Sequence, residues 1–127
     1  MPTRVMLVED NVSFRRVLKA ILNARLPSVK ISEAEGEGEA LNIIKKDMPD
    51  FIFMDLKLAE GSGLSLTRKI KRVSPNTKVV VMTTHDCPEY EKAAYQSGAD
   101  GFITKESASP DEIVRFVKSI ADGKSQK

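Results

Sequence analysis

Cysteine and histidine are almost missing from this chain: Cys87 and His85 stand alone among 127 residues. A single thiol excludes an internal disulfide and suits a reducing compartment, so the expected location is the cytoplasm. One histidine and one cysteine are also too few soft ligands for a structural zinc site. No apolar run approaches the length of a membrane span. Val5-Met6-Leu7-Val8, behind Met1-Pro2-Thr3-Arg4, is too short for the core of a signal peptide. An excess of charge of one sign is missing too. The net charge is +2, and nothing in the totals calls for nucleic acid or an acidic membrane. Repeats, low-complexity stretches and linkers are absent. The expected organisation is one domain over residues 1–127, with a polar tail that frays from about residue 123.

What is present is an alternation of strands and helices around Phe51-Ile52-Phe53-Met54-Asp55. Four apolar residues in a row, between Pro49-Asp50 and Glu60-Gly61-Ser62-Gly63, predict a strand buried on both faces of a parallel sheet. Before it, Val5-Met6-Leu7-Val8 predicts a first strand ending in Glu9-Asp10. Phe14, Val17, Leu18, Ile21 and Leu22 recur at helical spacing, and Leu26 closes that helix before Pro27. Val29-Lys30-Ile31-Ser32 alternates as an edge strand does. Gly36 and Gly38 lead into a helix carrying Ala40, Leu41 and Ile44, stopped by Pro49.

After the central strand, Leu66, Ile70 and Val73 mark a third helix that ends at Ser74-Pro75-Asn76. Lys78-Val79-Val80-Val81-Met82 predicts a second strongly buried strand, which delivers Thr83 and Thr84. Pro88 and Gly98 suit the two ends of a fourth helix. Gly101-Phe102-Ile103-Thr104 is a short last strand ending at Lys105. Ser109-Pro110-Asp111-Glu112 opens a final helix with Ser109 as its cap, and Ile113, Phe116, Val117 and Ile120 form its buried face. Five strand–helix repeats with short connections predict an α/β fold, a doubly wound parallel sheet with helices on both faces.

Every strand of a parallel sheet presents its C-terminal end at the same edge. That edge therefore receives Glu9, Asp10, Asp55, Thr83 and Lys105. Three clustered carboxylates repel, so either one holds a proton or a cation joins them. Hard oxygen ligands suit Mg²⁺, which binds through a few carboxylates plus phosphate oxygens. A carboxylate in that setting can act as a nucleophile toward a phosphoryl group, with Lys105 and the Thr83 hydroxyl on its oxygens. Each residue alone has an ordinary role. Glu9-Asp10 suits a helix start, Asp55 a turn, Thr83 a strand and Lys105 the surface. The weight lies in their conjunction at the ends of four separate strands.

These residues resemble the bacterial response-regulator receiver domain of two-component signalling. The likeness runs from Val5 to about Ile120 and rests on Glu9-Asp10, Met54-Asp55-Leu56, Gly63, Thr83 and the run from Gly98 to Lys105. It implies a single flavodoxin-like (βα)5 fold with strand order 2-1-3-4-5. Asp55 would accept a phosphoryl group from a sensor-kinase phosphohistidine or a phosphotransfer protein. Mg²⁺, with Mn²⁺ able to substitute, would be held by Glu9, Asp10, Asp55 and the backbone carbonyl of Lys57. Thr83 and Phe102 would form the switch pair, although plain core packing is the alternative for Phe102. The altered surface would be that of the fourth helix, last strand and last helix, with Tyr90 and Tyr95 as candidates on it. The same face, or that of the first and last helices, could pair two copies. No direct contact with nucleic acid, no membrane association and no turnover catalysis are expected.

Several positions depart from the family pattern. Ala59 and Glu106 stand where prolines are common, Ser62 replaces a frequent Asp, and Thr84 replaces a smaller residue. The Lys105–Glu106 bond is expected to be trans or strained, since cis before a non-proline costs about 3–4 kcal/mol. Lys57, Thr84 and His85 are the candidates for tuning phosphoryl lifetime. The run Thr83-Thr84-His85-Asp86-Cys87-Pro88-Glu89-Tyr90 resembles receivers that precede helix-turn-helix output domains, so the chain is either a stand-alone receiver or part of a longer regulator. A phosphatase with an aspartyl nucleophile would need a second Asp where Lys57 stands. A nucleotide binder would need a phosphate-cradling loop in place of Glu9-Asp10, and no GxxxxGK[ST] is present. A degenerate receiver serving only as an interaction module remains the alternative.

Overall fold

A computed structural model describes residues 3–58, 61–84 and 87–125, the last six by their backbone alone. Ten elements alternate along the chain: β1 (Arg4–Val8), α1 (Val12–Arg25), β2 (Lys30–Ala34), α2 (Glu37–Lys46), β3 (Phe51–Asp55), α3 (Gly63–Val73), β4 (Lys78–Thr83), α4 (Pro88–Gln96), β5 (Gly101–Thr104) and α5 (Pro110–Ser125). All four pairings are parallel and the strand order is β2-β1-β3-β4-β5, as expected.

Side chains alternate between the two faces of a strand, and this sorts the core into two layers. Val5, Leu7, Phe51, Phe53, Val80, Met82 and Ile103 pack against Leu18 and Leu22 of α1 and Ile113 and Val117 of α5. Met6, Val8, Ile52, Met54, Val79 and Val81 pack against Ala40 and Ile44 of α2, Leu66 and Ile70 of α3 and Ala94 of α4. The central β3 is buried at every position. The edge β2 is buried only at Ala34.

Local signals explain the helix starts. Asn11 caps α1 by accepting the Phe14 N–H at 3.0 Å. Ser62, where an Asp is frequent, still caps α3, its hydroxyl accepting from Leu64 N at 3.2 Å and Ser65 N at 3.5 Å. Ser109 caps α5 through the Glu112 N–H at 3.1 Å, and Pro88 opens α4. Gly98 ends α4 in the left-handed region, at φ +103°.

The structure corrects three readings. Val17 and Val73, placed on buried helix faces by spacing, are 54% and 68% exposed. Both lie at the margin of a stripe whose centre, Leu18 and Leu22 or Leu66 and Ile70, is wide enough to fill the layer. Gly38 lies within α2 rather than ahead of it, because Gly36 is the cap. The backbone of α5 is helical to Ser125. The expectations for Ala59, Glu60, His85 and Asp86, and for the side chain of Ile120, fall outside the described residues.

Candidate functional site: a buried acidic pocket

Strand parity decides which face each polar side chain takes. Glu9 continues the Val5–Leu7 face of β1, Asp55 the Phe51–Phe53 face of β3, and Lys105 the Ile103 face of β5. All three emerge on the side of α1 and α5. Register then brings them level: Val8 pairs with Met54 and Asp55 with Met82, while the Lys105 N–H reaches the Thr83 carbonyl at 2.8 Å.

The resulting pocket holds one carboxylate oxygen from each of Glu9, Asp10 and Asp55 within 4.8 Å of one another. Glu9 and Asp55 are buried, and Asp10 is exposed. Lys105 Nζ stands 2.7 Å from Glu9 Oε1 and 3.6 Å from Asp55 Oδ2. The first contact is an ion pair without hydrogen-bond alignment. Glu9 Oε1 is accordingly a buried polar atom with no hydrogen-bond partner among the described residues. Burial first, and the neighbouring Glu9 carboxylate second, push the Asp55 carboxyl up to about 7, against the pull of Lys105.

A buried carboxylate oxygen whose sole neighbour of opposite charge among the described residues is the Lys105 ammonium, inside a cluster of oxygen ligands alone, fits a hard divalent cation such as Mg²⁺ or Mn²⁺. It fits a soft metal poorly. Glu9 Oε1, Asp10 and Asp55 are the side chains that could hold such an ion. Lys57, also expected to contribute through its carbonyl, is exposed two residues beyond Asp55. Its backbone pairs with Ser62 across the β3–α3 loop.

Thr83 and Phe102 fall on the opposite parity, shared with Val79 and Val81. Thr83 is 2% exposed, and Phe102 is half-buried against the layer that contains Ala94, Ala99 and Tyr90. The pocket thus faces α1 while this pair faces α4. Thr84 is exposed at the end of β4, and Tyr95 is exposed on α4. No cis peptide occurs among the described residues, so Lys105–Glu106 is trans as expected.

Three supports escaped the sequence reading. Arg15 donates from Nη1 to the Glu9 carbonyl at 2.6 Å and from Nε to Glu33 Oε1 at 3.0 Å, tying the β1–α1 turn to the edge strand. The Asn11 N–H donates to Glu9 Oε2 at 3.0 Å. The ring of Phe14 lies beneath Lys105, with Nζ 4.8 Å from its centroid. Helical periodicity read Phe14 only as core, and Arg15 carried no signal beyond its place one turn after the acidic pair. Gly63, noted only as a matching residue, has a plain reason. A Cβ there would lie 2.0 Å from the Asp55 carbonyl oxygen.

Fold and pocket together define a class: a doubly wound domain carrying an acidic, cation-ready site at the carboxyl ends of β1 and β3, with a lysine opposite. Residues 5–118 match the family model described as the response regulator receiver domain, and the chain belongs to that family. It is 30% identical over 120 residues to the uncharacterized transcriptional regulatory protein YxjL of Bacillus subtilis, covering 94% of this chain and 55% of that one. The chain spans about half the length of the curated relatives it matches. Among solved structures, a LuxR-family two-component response regulator from Aurantimonas superposes with a TM-score of 0.85 at 30% identity, covering 97% of this chain and 87% of that one. The receiver domain of the putative response regulator NarL from Mycobacterium tuberculosis gives 0.86 at 29% identity, with 96% and 98% covered. No helix among the described residues is long and apolar enough to cross a membrane.

Proposed function

We propose that this receiver domain takes a phosphoryl group onto Asp55 from the phosphohistidine of a sensor kinase or phosphotransfer protein in the cytoplasm. One observation carries the reading: the three carboxylates lie within 4.8 Å, with the Lys105 ammonium 3.6 Å from Asp55. An Asp55 oxygen attacks phosphorus, the P–O bond forms as the P–N bond breaks, and the imidazole leaves with the electron pair of the P–N bond. Bound at Glu9, Asp10, Asp55 and the Lys57 carbonyl, Mg²⁺ or Mn²⁺ would neutralise charge on the incoming phosphoryl oxygens. Lys105 pairs with one phosphoryl oxygen as a point charge, and the Thr83 hydroxyl donates to another. Lys57 stands where a phosphatase would need its general acid, which supports a single transfer and slow loss rather than sustained turnover. Lys57, Thr84 and His85 would tune that loss.

The phosphoryl group adds a charge of about −2. Moving a population from 1:99 to 99:1 needs about 5.5 kcal/mol of differential stabilisation. Two or three charge-assisted hydrogen bonds of roughly 1.5–3 kcal/mol each reach that scale. Thr83 and Phe102 share the α4 side of the sheet, which supports a switch read out on α4, β5 and α5. That face, or α1 with α5, would then pair two copies or meet an output segment. A relative about twice as long that is called a transcriptional regulatory protein supports transcription as the output.

Intact mass after incubation with acetyl phosphate and Mg²⁺ tests the reading. One phosphoryl addition is expected, absent in Asp55→Asn and absent with a chelator. No addition to the wild type would leave the domain an interaction module and overturn the proposal.

A further inference from the structure

We infer that Phe14 is the positioning residue for Lys105: its ring face holds the ammonium at the mouth of the acidic pocket without occupying a carboxylate oxygen. This deepens the phosphoacceptor reading and rests on it. Lys105 Nζ lies 4.8 Å from the Phe14 centroid, and the lysine side chain is only 11% exposed. Its other partners, Glu9 Oε1 at 2.7 Å and Asp55 Oδ2 at 3.6 Å, are the oxygens a divalent cation and a phosphoryl group would claim. An ammonium held by those oxygens alone would lose its anchors when they were claimed. A ring quadrupole attracts a cation but offers a hard metal no lone pair. It can keep Lys105 in place through the whole reaction.

The ring is itself fixed. Phe14 packs against the α1–α5 layer of the core, and its backbone N–H is bound by Asn11, whose own N–H binds Glu9. One short segment therefore sets the carboxylate and the ring that faces its lysine.

Phe14→Leu also shortens a core side chain, so the deciding variants are 4-fluoro-, 3,5-difluoro- and 3,4,5-trifluorophenylalanine at position 14. These drain the ring face of negative charge with little change of shape. Three readouts are taken in parallel: beryllofluoride affinity in the presence of Mg²⁺, affinity for Mg²⁺ alone by calorimetry, and the order parameter of the Lys105 ε-methylene by NMR. The expected result is a stepwise fall in beryllofluoride affinity, reaching about fivefold to tenfold at trifluoro substitution. Mg²⁺ affinity should hold within about twofold, Lys105 should become more mobile in the same steps, and Phe14→Tyr should behave as wild type. Beryllofluoride affinity that is flat across the series, or that falls only together with Mg²⁺ affinity, overturns the inference. If the wild type binds no beryllofluoride, the phosphoacceptor reading fails separately. The Lys105 order parameter then still decides whether the ring holds the ammonium, and an unchanged value across the series overturns it.

Discussion

Replacing Gly63 by alanine should damage this domain, although the same change at Gly38 should improve it. Gly63 is the first residue of α3, where alanine is favoured over glycine by about 1 kcal/mol on helix propensity alone. The added Cβ, however, would sit 2.0 Å from the Asp55 carbonyl oxygen, 3.0 Å from the Asp55 carbonyl carbon and 3.1 Å from the Leu56 oxygen. The nearest of these is some 1 Å inside any approach a Cβ tolerates, and all three atoms are backbone, so no side chain can swing away. Overpacking of this kind costs about 1–3 kcal/mol. Moving α3 outward also strains the Gly63 N–H bond to the Leu56 oxygen at 3.1 Å, worth about 1 kcal/mol. Set against the propensity gain, the net expectation is a loss of about 1–3 kcal/mol. At Gly38 a Cβ meets nothing within 4 Å and φ is not left-handed, so alanine should add about 0.5–1 kcal/mol. Urea unfolding of both variants, followed by circular dichroism, measures the difference. Equal midpoints would refute the close approach of α3 to the Asp55 strand.

Other outcomes follow from the pocket. The folded-state pKa of Asp55, about 7, lies above the ordinary carboxyl value, so the fold favours its protonated form. In metal-free protein that contribution is present below about pH 4 and is lost as pH rises toward 7. Asp55→Asn should therefore gain stability relative to wild type over that window, and parallel melting curves across it would contradict the assignment. Arg15→Ala removes the donor to the Glu9 carbonyl and leaves Glu33 with one cation fewer. Mg²⁺ affinity measured by calorimetry should fall about tenfold, as expected for one lost bond to a charged donor. Lys105→Ala should still accept label from acetyl phosphate but show no shift in the amide NMR signals of α4 and β5; full wild-type shifts would remove Lys105 from the switch.

Much of this was written locally in the chain. Unbroken apolar runs in β3 and β4, the cap residue Ser109 and Pro88 in the first turn of α4 set the order of elements and the fold class. Strand ends place Glu9, Asp10, Asp55 and Lys105 on one rim, because parallel strands must share an edge. Spacing was weaker where a stripe meets solvent. Val17 and Val73 carry the right period and yet lie outside, since periodicity marks a direction and not the depth of the layer.

Chain order decides which groups gather at the rim, because chain direction and a parallel sheet leave strand ends nowhere else to go. How they are held depends on packing: the layers place Glu9, Asp55 and Lys105 on the α1 side and Thr83 with Phe102 on the α4 side. It also set Phe14 beneath Lys105, Arg15 on the Glu9 carbonyl and Gly63 against Asp55. Propensity and period act along one element, whereas the Phe14–Lys105 contact joins positions ninety-one apart and the Arg15 and Gly63 contacts cross turns, so packing sets all three.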